Sequence, residues 1–480
     1  MKNHKLGHYC GVVGLFSREP SNIPQDLYFP LFALQHRGQE SAGIAYREDD
    51  QTVVHKDLGM VSSVLGKYLE KPHSSHAGIG HVRYSTHGGN KKENAQPLVV
   101  NSNKGEIAIA HNGNLTNTKE LKEELFQEGA IFQTSSDTEV ILHLISRCRK
   151  DGFHEALMHS LGRLKGAFSM VALHDDSLIA IRDPWGFRPL YIGWKNQKTY
   201  LASESVALDM MQVTEYRSVQ PGEVIIINQE GESSYFIPRN PREGTHQCIF
   251  EMIYFARPDS EIYDSSVHNF RKRIGAALAK KDRELLNSPH PGGDIVVPVP
   301  DSGTIAALGY AQHAEIPFEM GLTRNHYTGR SFILPSTAER ELAVRLKLHP
   351  VRSVIQGRRV FLIDDSLVRG TTAKILVKLI KEAGAAEVHL RLSAPEIRWP
   401  CFFGIDIPTR KELISNSLSP EELSKHVGAD SLQFLQEEDL KTASGSPGKF
   451  CFSCFNGDYP FEVPLRPEAR QATPRDKNRG

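Results

Sequence analysis

The chain has 480 residues, enough for two or more domains with ample core, and its 57 basic and 57 acidic residues leave no formal net charge. That balance excludes the electrostatic footprint of a nucleic-acid or anionic-membrane binder and leaves small-molecule chemistry as the default. No stretch approaches the roughly 18 apolar residues of a membrane span, and 1–9 has lysines without the apolar centre of a secretory signal. The expectation is a cytoplasmic protein, whose 6 cysteines are catalytic, metal-binding or buried rather than disulfide-bonded.

The first apolar strand is Cys10-Gly11-Val12-Val13-Gly14-Leu15-Phe16, with glycines suited to close packing and a thiol as its first residue. Four polar islands then interrupt apolar strands: Gln35-His36-Arg37-Gly38-Gln39-Glu40-Ser41-Ala42-Gly43, His81-Val82-Arg83-Tyr84-Ser85-Thr86, His111-Asn112-Gly113-Asn114-Leu115 and Ser135-Ser136-Asp137-Thr138-Glu139. Any one alone is ordinary turn material. Cys148, just past the apolar helical stretch 141–145, reads as a core residue. Residues 238–244, a run of Pro, Arg, Asn, Glu and Gly, read as a linker.

In the second half, Ile295-Val296-Val297-Pro298-Val299-Pro300 is a buried strand running into Asp301-Ser302-Gly303-Thr304. Gly303 lets the backbone approach a diphosphate there, and Ser302 offers a magnesium ligand. Residues 321–350 are basic and weakly periodic, with Arg324, Arg330, Arg340, Arg345 and Lys347. Next comes Val360-Phe361-Leu362-Ile363-Asp364-Asp365-Ser366-Leu367-Val368-Arg369-Gly370-Thr371-Thr372, a strand that ends in two carboxylates and a polar loop. Thr371 or Thr372 is the expected N-cap of a helix whose apolar positions are Ile375, Leu376, Leu379, Ile380 and Ala383, ended by Gly384. Val388-His389-Leu390-Arg391-Leu392 is the next strand, making a βαβ unit of a parallel sheet. The N–H groups of Arg369, Gly370, Thr371 and Thr372 would point at a phosphate, beside carboxylates suited to a sugar diol or hydrated Mg2+.

Cys451 and Cys454 have metal-ligand spacing, and Cys248 and Cys401 bring the set to four. Spacing alone fits an all-cysteine zinc site and an iron-sulfur cluster equally, with a redox disulfide third. From Pro460 onward Pro, Arg, Glu and Lys dominate, as in a disordered tail.

In this order the four islands are similar to the glutaminase motifs of the N-terminal-nucleophile (Ntn) amidotransferases, and 360–372 resembles the phosphoribosyl diphosphate (PRPP) motif of the type I phosphoribosyltransferases. From Cys10 to about Tyr459 the chain resembles the amidophosphoribosyltransferases, in their propeptide-processed, iron-sulfur-bearing branch. The resemblance implies two domains of α/β and α+β class. An αββα Ntn-hydrolase sandwich over 10–240 follows a propeptide, 1–9, and a type I phosphoribosyltransferase parallel-sheet domain with the cysteine cluster spans 241–460, before the tail 461–480. It implies that PRPP, glutamine and water become 5-phosphoribosylamine, glutamate and diphosphate, the committed step of purine synthesis.

By the same resemblance Cys10 is the nucleophile, freed by cleavage after Tyr9 so that its own α-amine serves as base. Asn112 and Gly113 form the oxyanion hole, Arg83 pairs with the glutamine carboxylate, Asp137 holds its ammonium, and Arg37, in the motif lining the nucleophile, counts with them as glutamine-binding. PRPP falls to Asp301, Ser302, Gly303, Asp364, Asp365, Ser366, Arg369, Gly370, Thr371 and Thr372, with Mg2+ at Ser302, Asp364 and Asp365. A 4Fe-4S cluster falls to Cys248, Cys401, Cys451 and Cys454. The basic segment 321–350 would be a closing lid, and ammonia would pass between the sites unexposed to solvent. Homo-oligomers, tetramer or dimer, and purine nucleotide inhibitors are also implied. Trp185 and His326 stand where a histidine and an arginine are expected, and Val206 where a small polar residue or cysteine is. The rival readings are another amidotransferase, such as an asparagine or glucosamine phosphate synthase, a PRPP-binding regulator, and an inactive paralogue.

Overall fold

The computed structural model describes residues 10–49, 51–69, 73–84, 91–239, 244–288, 290–325, 342, 344–407 and 409–464. The leader with its cleavage point, Ser85 and Thr86, linker residues 240–243, His326, Arg330 and Arg340 of the lid, and the tail from 465 lie outside them.

Strands β1 (Gly11–Ser21), β2 (Ser41–Glu48), β3 (Gln51–Leu58), β4 (Ser75–Arg83), β5 (Leu98–Ser102), β6 (Gly105–Leu115), β7 (Gly166–His174), β8 (Ser177–Arg182), β9 (Tyr191–Lys195), β10 (Lys198–Ala202), β11 (Glu215–Ser218), β12 (Glu223–Asn228) and β13 (Gly231–Phe236) build two antiparallel sheets. Their orders are β11-β9-β10-β1-β4-β2-β3 and β13-β12-β8-β7-β6-β5. The period of two along β1 decides how they stack. Val12 and Phe16 turn inward and share a core with Ile79, Ala108, Val171, Leu178 and Ile225. Val13 and Leu15 turn outward onto Leu27 and Leu31 of helix α1 (Ile23–Ala33). Gly14 sits where the sheets nearly touch, since a Cβ there would stand 2.9 Å from Leu178 Cδ1. The other outer face, with Ile107, Ile109, Phe168 and Met170, is covered by α2 (Thr118–Gln127), α3 (Thr138–Arg147) and α4 (Phe153–Leu161). Helices on both outer faces make an αββα sandwich.

Strands β14 (Asp294–Pro298), β15 (Arg359–Asp364), β16 (Glu387–Leu392) and β17 (Ser431–Phe434) form a parallel sheet in that order, with Ile295 opposite Val360 and Leu362 opposite Leu390. Helix α5 (Val267–Lys281) packs on α6 (Thr304–Ala314) at backbone contact: a Cβ on Gly275 would lie 1.9 Å from the Ala306 oxygen. Helix α7 (Thr371–Glu382) follows β15 and buries Leu376, Val377 and Ile380 in one core with the sheet residues Leu362 and Leu390, while Ile375 and Leu379 are buried as well.

Two expectations need correction. The N-cap of α7 is Gly370, at φ 74°, and neither threonine makes a side-chain cap. A left-handed residue turns the chain sharply out of the loop, which leaves Thr371 and Thr372 inside the first turn. Cys148 lies at the edge of the core rather than within it: it is half-buried at the C-terminal end of α3, packed against the apolar cluster of that helix, with Sγ 3.7 Å from His159 Nδ1.

Candidate active sites

Strand register assembles the first site. Cys10 lies one residue before β1, and β1 runs antiparallel to β4 with Gly11 opposite Val82. The nucleophile candidate therefore falls beside the end of β4, with its Sγ 3.8 Å from the Tyr84 carbonyl and Arg83 within electrostatic range. His81, also on β4, is fully buried and meets the His111 carbonyl of β6 through Nε2 at 3.1 Å, linking the two sheets. Burial pushes its pKa down to about 3, so it is neutral. Asp137 closes the group: it accepts Leu115 N–H at 3.0 Å and lies 3.7 Å from His111 Nδ1. Its charge also reaches the Cys10 thiol.

Asn112 is 0% exposed, and both its amide nitrogen and its amide oxygen lack a partner among the described residues. A buried amide left unpaired is a standing cost, and it suits a donor reserved for a charge that appears only during reaction. Gly113 has no room for a side chain, because a Cβ would stand 2.0 Å from the Ala167 oxygen. Burial raises the Cys10 thiol pKa, opposed by the positive charges of Arg83 and Arg37. The thiol is thus protonated at neutral pH and needs a base.

Arg37 sits behind the nucleophile, not in a substrate cleft. It is buried, its Nε donates to the Cys10 carbonyl at 3.1 Å, and its two terminal nitrogens bind Glu204 and, at 2.7 Å, Glu251. A guanidinium so engaged has no free fork for a substrate carboxylate.

The second site lies at the carboxyl edge of the parallel sheet. Because β14 and β15 are neighbours, the loops after both open on one side. Asp364 and Asp365 are each 5% exposed. Ser302 Oγ and Ser366 Oγ each donate to Asp365 at 2.5 Å, and Asp364 accepts the Asp365 N–H at 2.9 Å. Gly303 presses on β15, where a Cβ would be 2.4 Å from the Ile363 oxygen. Asp301 is exposed and paired with Arg324, and Arg369 is paired with Glu412. Beyond Gly370, the N-terminal end of α7 presents Thr371 and Thr372 at the same edge. Arg271, on α5, is buried within range of Asp365, and burial pushes its pKa down to about 10.

The four cysteines converge from three segments. Cys248 faces Cys451 in a two-residue parallel pairing of Gln247–Cys248 with Phe450–Cys451. The Cys454 carbonyl accepts both the Arg398 and the Trp399 N–H at 3.0 Å, which brings in the segment carrying Cys401. Cys248, Cys401 and Cys451 all act electrostatically on Cys454. Phe187, Phe402, Phe403, Tyr459 and Phe461 share a cluster with Cys401 and Cys451. Burial pushes Cys248 up to about 12 and Cys451 to about 11, and raises Cys401 and Cys454 as well. Among the described residues no three His, Cys, Asp or Glu side chains gather closely enough to hold a single metal ion.

A family model described as a glutamine amidotransferase domain matches residues 81–210. The chain is 46% identical over 471 residues to an amidophosphoribosyltransferase of Methanocaldococcus jannaschii, covering 95% of this chain and 98% of that one. It is 44% identical to an amidophosphoribosyltransferase of Bacillus subtilis, covering 95% of each chain. The solved structure of the B. subtilis glutamine PRPP amidotransferase complexed with ADP and GMP superposes with a TM-score of 0.86, over 95% of this chain and 98% of that chain. The chain belongs to the amidophosphoribosyltransferase family.

As an amidophosphoribosyltransferase relative the protein is an enzyme with an Ntn-type glutamine amidotransferase fold followed by a second sheet domain. Full-length similarity to amidophosphoribosyltransferases excludes an asparagine or glucosamine phosphate synthase. Sequence reasoning gave no role to Glu204, Arg188 or Glu251. All three are 0% exposed and bound to one another or to Arg37. Their signal was a charged residue inside an apolar stretch, as in Cys248-Ile249-Phe250-Glu251.

Proposed function

We propose that the protein makes 5-phosphoribosylamine, glutamate and diphosphate from PRPP, glutamine and water, as the committed step of purine synthesis. The observation that carries the reading is the reserved amide of Asn112 in the strand beside Cys10's neighbours, on the same chain as the two acidic and glycine loops of the parallel sheet. In the first domain, over 10–240, cleavage after Tyr9 frees the Cys10 amine. That amine takes the thiol proton, the thiol attacks the glutamine carboxamide, and ammonia leaves from a tetrahedral adduct whose oxyanion rests on Asn112 and Gly113 N–H. Arg83 and Asp137 hold the carboxylate and ammonium of the substrate. Water then releases glutamate from the thioester.

In the second domain, over 241–460, Asp364 and Asp365 orient the ribose diol. The 301–303 loop and the N–H groups of 369–372 hold the phosphates, so that ammonia attacks the anomeric carbon and diphosphate departs. The donor set of two buried acids and Ser302 fits Mg2+, which when bound would offset charge on the leaving diphosphate. Four convergent thiols, Cys248 and Cys454 buried and Cys401 and Cys451 partly so, fit a 4Fe-4S cluster that ties the chain end to this domain. The resemblance to the cluster-bearing branch of the family is what favours it over an all-cysteine zinc site. A homo-oligomeric, cytoplasmic enzyme inhibited by purine nucleotides completes the proposal, the last point supported by the relative complexed with ADP and GMP.

The test is purification without oxygen, amino-terminal mass, iron and sulfide content, and product formation from glutamine and PRPP. A chain starting at Cys10 that releases glutamate and forms phosphoribosylamine in equal amounts bears the proposal out. Glutamate release without phosphoribosylamine, or neither, overturns it.

A further inference from the structure

Behind the nucleophile lies a closed group of four charges, Arg37, Arg188, Glu204 and Glu251, whose side chains are all 0% exposed. Buried charges cannot be satisfied by solvent, so each fixes the position of the others. Glu204 is already held by His36, Arg37, Ser260 Oγ at 2.7 Å and Arg257 N–H at 3.0 Å. Glu251 is different: its Oε1 alone accepts from both Arg37 Nη2, at 2.7 Å, and Arg188 Nη1, at 3.0 Å, while its Oε2 has no partner among the described residues.

The two arginines lead in opposite directions. Arg37 Nε holds the Cys10 carbonyl. Arg188 grips the Phe403 carbonyl with Nε at 3.1 Å and with a second nitrogen, and the Phe403 N–H donates to Cys401 Sγ at 3.3 Å. A second tie runs parallel, from Asn114 Nδ2, two residues past Asn112, to the Phe402 carbonyl at 2.8 Å. The segment at 401–403 thus touches both the strand of the oxyanion amide and, through Arg188 and Glu251, the clamp on the nucleophile.

We infer that Glu251 is a positioning residue for Cys10, through which the seating of the cysteine-bearing second half sets glutaminase competence; this rests on the glutaminase reading above. A displacement of Arg188 moves the shared oxygen, and with it the one side chain seen to hold the Cys10 carbonyl. Because Glu204 is pinned by its own donors, the adjustable acid on Arg37 is Glu251. The consequence concerns the geometry of attack, since the line of contacts from Glu251 runs through Arg37 and ends on the Cys10 carbonyl.

The test uses full-length protein and three variants. Glu251→Gln keeps the shape and removes the charge, Glu251→Asp keeps the charge and withdraws the oxygens, and Arg188→Lys keeps the charge and loses the fork. Glutamate release in the presence of PRPP, alkylation of Cys10 by iodoacetamide and PRPP binding are measured for each, after mass confirms the amino terminus. The expected result is a fall in kcat for glutamate release of about tenfold to 10²-fold in E251Q, as for a misplaced nucleophile, with slower alkylation. Glutamine KM and PRPP affinity should stay within about threefold, with a smaller effect of the same kind in E251D and R188K. Should E251Q not fold, E251D and R188K decide by the same split. Unchanged kcat, or parallel loss of glutamate release and PRPP binding, overturns the inference. Absence of glutamate release from the unmodified protein instead overturns the functional reading.

Discussion

Replacing Asn112 with alanine separates function from stability in a way few active-site changes do. The side chain is fully buried, and neither its nitrogen nor its oxygen has a partner among the described residues. Each such unpaired group costs about 1–3 kcal/mol. Removing the amide leaves a void of a few tens of Å3, which costs on the order of 1 kcal/mol at about 24 cal/mol per Å3. The balance favours the variant, so the unfolding midpoint of Asn112→Ala should match or exceed that of the unmodified protein. Activity should move the other way. Loss of one oxyanion donor costs about 10²–10³ in kcat, or roughly 2.7–4 kcal/mol of transition-state stabilisation, with little change in KM. Urea unfolding followed by circular dichroism reads the first quantity, and glutamate release under saturating glutamine reads the second. A variant that loses about 1 kcal/mol or more of stability, or keeps kcat within about tenfold, would show that the amide is a structural group and refute the oxyanion assignment.

Further outcomes are expected. Arg83→Gln should raise the glutamine KM by about tenfold or more while leaving PRPP affinity unchanged in steady-state kinetics, because a bidentate carboxylate contact is lost. Gly303→Ala, which forces a Cβ to within 2.4 Å of the Ile363 oxygen, should weaken PRPP binding by isothermal titration without slowing Cys10 alkylation. Since burial raises the thiol pKa, glutaminase kcat/KM should follow the Cys10 amine, falling as pH drops below roughly 7.7–8.0; stability should fall below pH 6.5 as well. There the unfolded chain protonates His81 and the folded one, with a pKa of about 3, does not, for a loss near 1.4 kcal/mol per pH unit in pH-dependent urea midpoints. Finally, Cys454→Ser should abolish bound iron and acid-labile sulfide in protein prepared without oxygen.

The parallel βαβ unit was legible because 360–364 is a short β-branched and apolar run and 375–383 has helical spacing, two periods that cannot be confused. The N-cap was misplaced because a threonine before an apolar run is the stronger local signal, whereas the left-handed turn at Gly370 is set by the sheet edge it must leave. The polar islands around Cys10 were legible as a set of motifs, but their meeting depends on the register Gly11 to Val82 and on His81 crossing between sheets, which no local pattern encodes. Arg37 shows the same limit. Its motif counted it among the glutamine-binding residues, and only the buried acids Glu204 and Glu251, distant in the chain, show that its guanidinium is engaged on them and on the Cys10 carbonyl. Cys148 was assigned to the core because its helix is apolar, yet it caps that helix, where the buried stripe has already run out.

The pairing of Gln247–Cys248 with Phe450–Cys451 has a consequence for the order of events during translation. Cys248 emerges from the ribosome at the start of the second half, and its three companions emerge only near the chain's end. Loading any four-cysteine cofactor must therefore wait until almost the whole protein has been synthesised. By then the two sheets of the first half have all their strands, and Glu251, made three residues after Cys248, has long been available to Arg37 and Arg188. What arrives late is the Phe403 carbonyl that Arg188 also grips, so the contact joining this buried charge group to the cysteine-bearing segment is the last of the group to form.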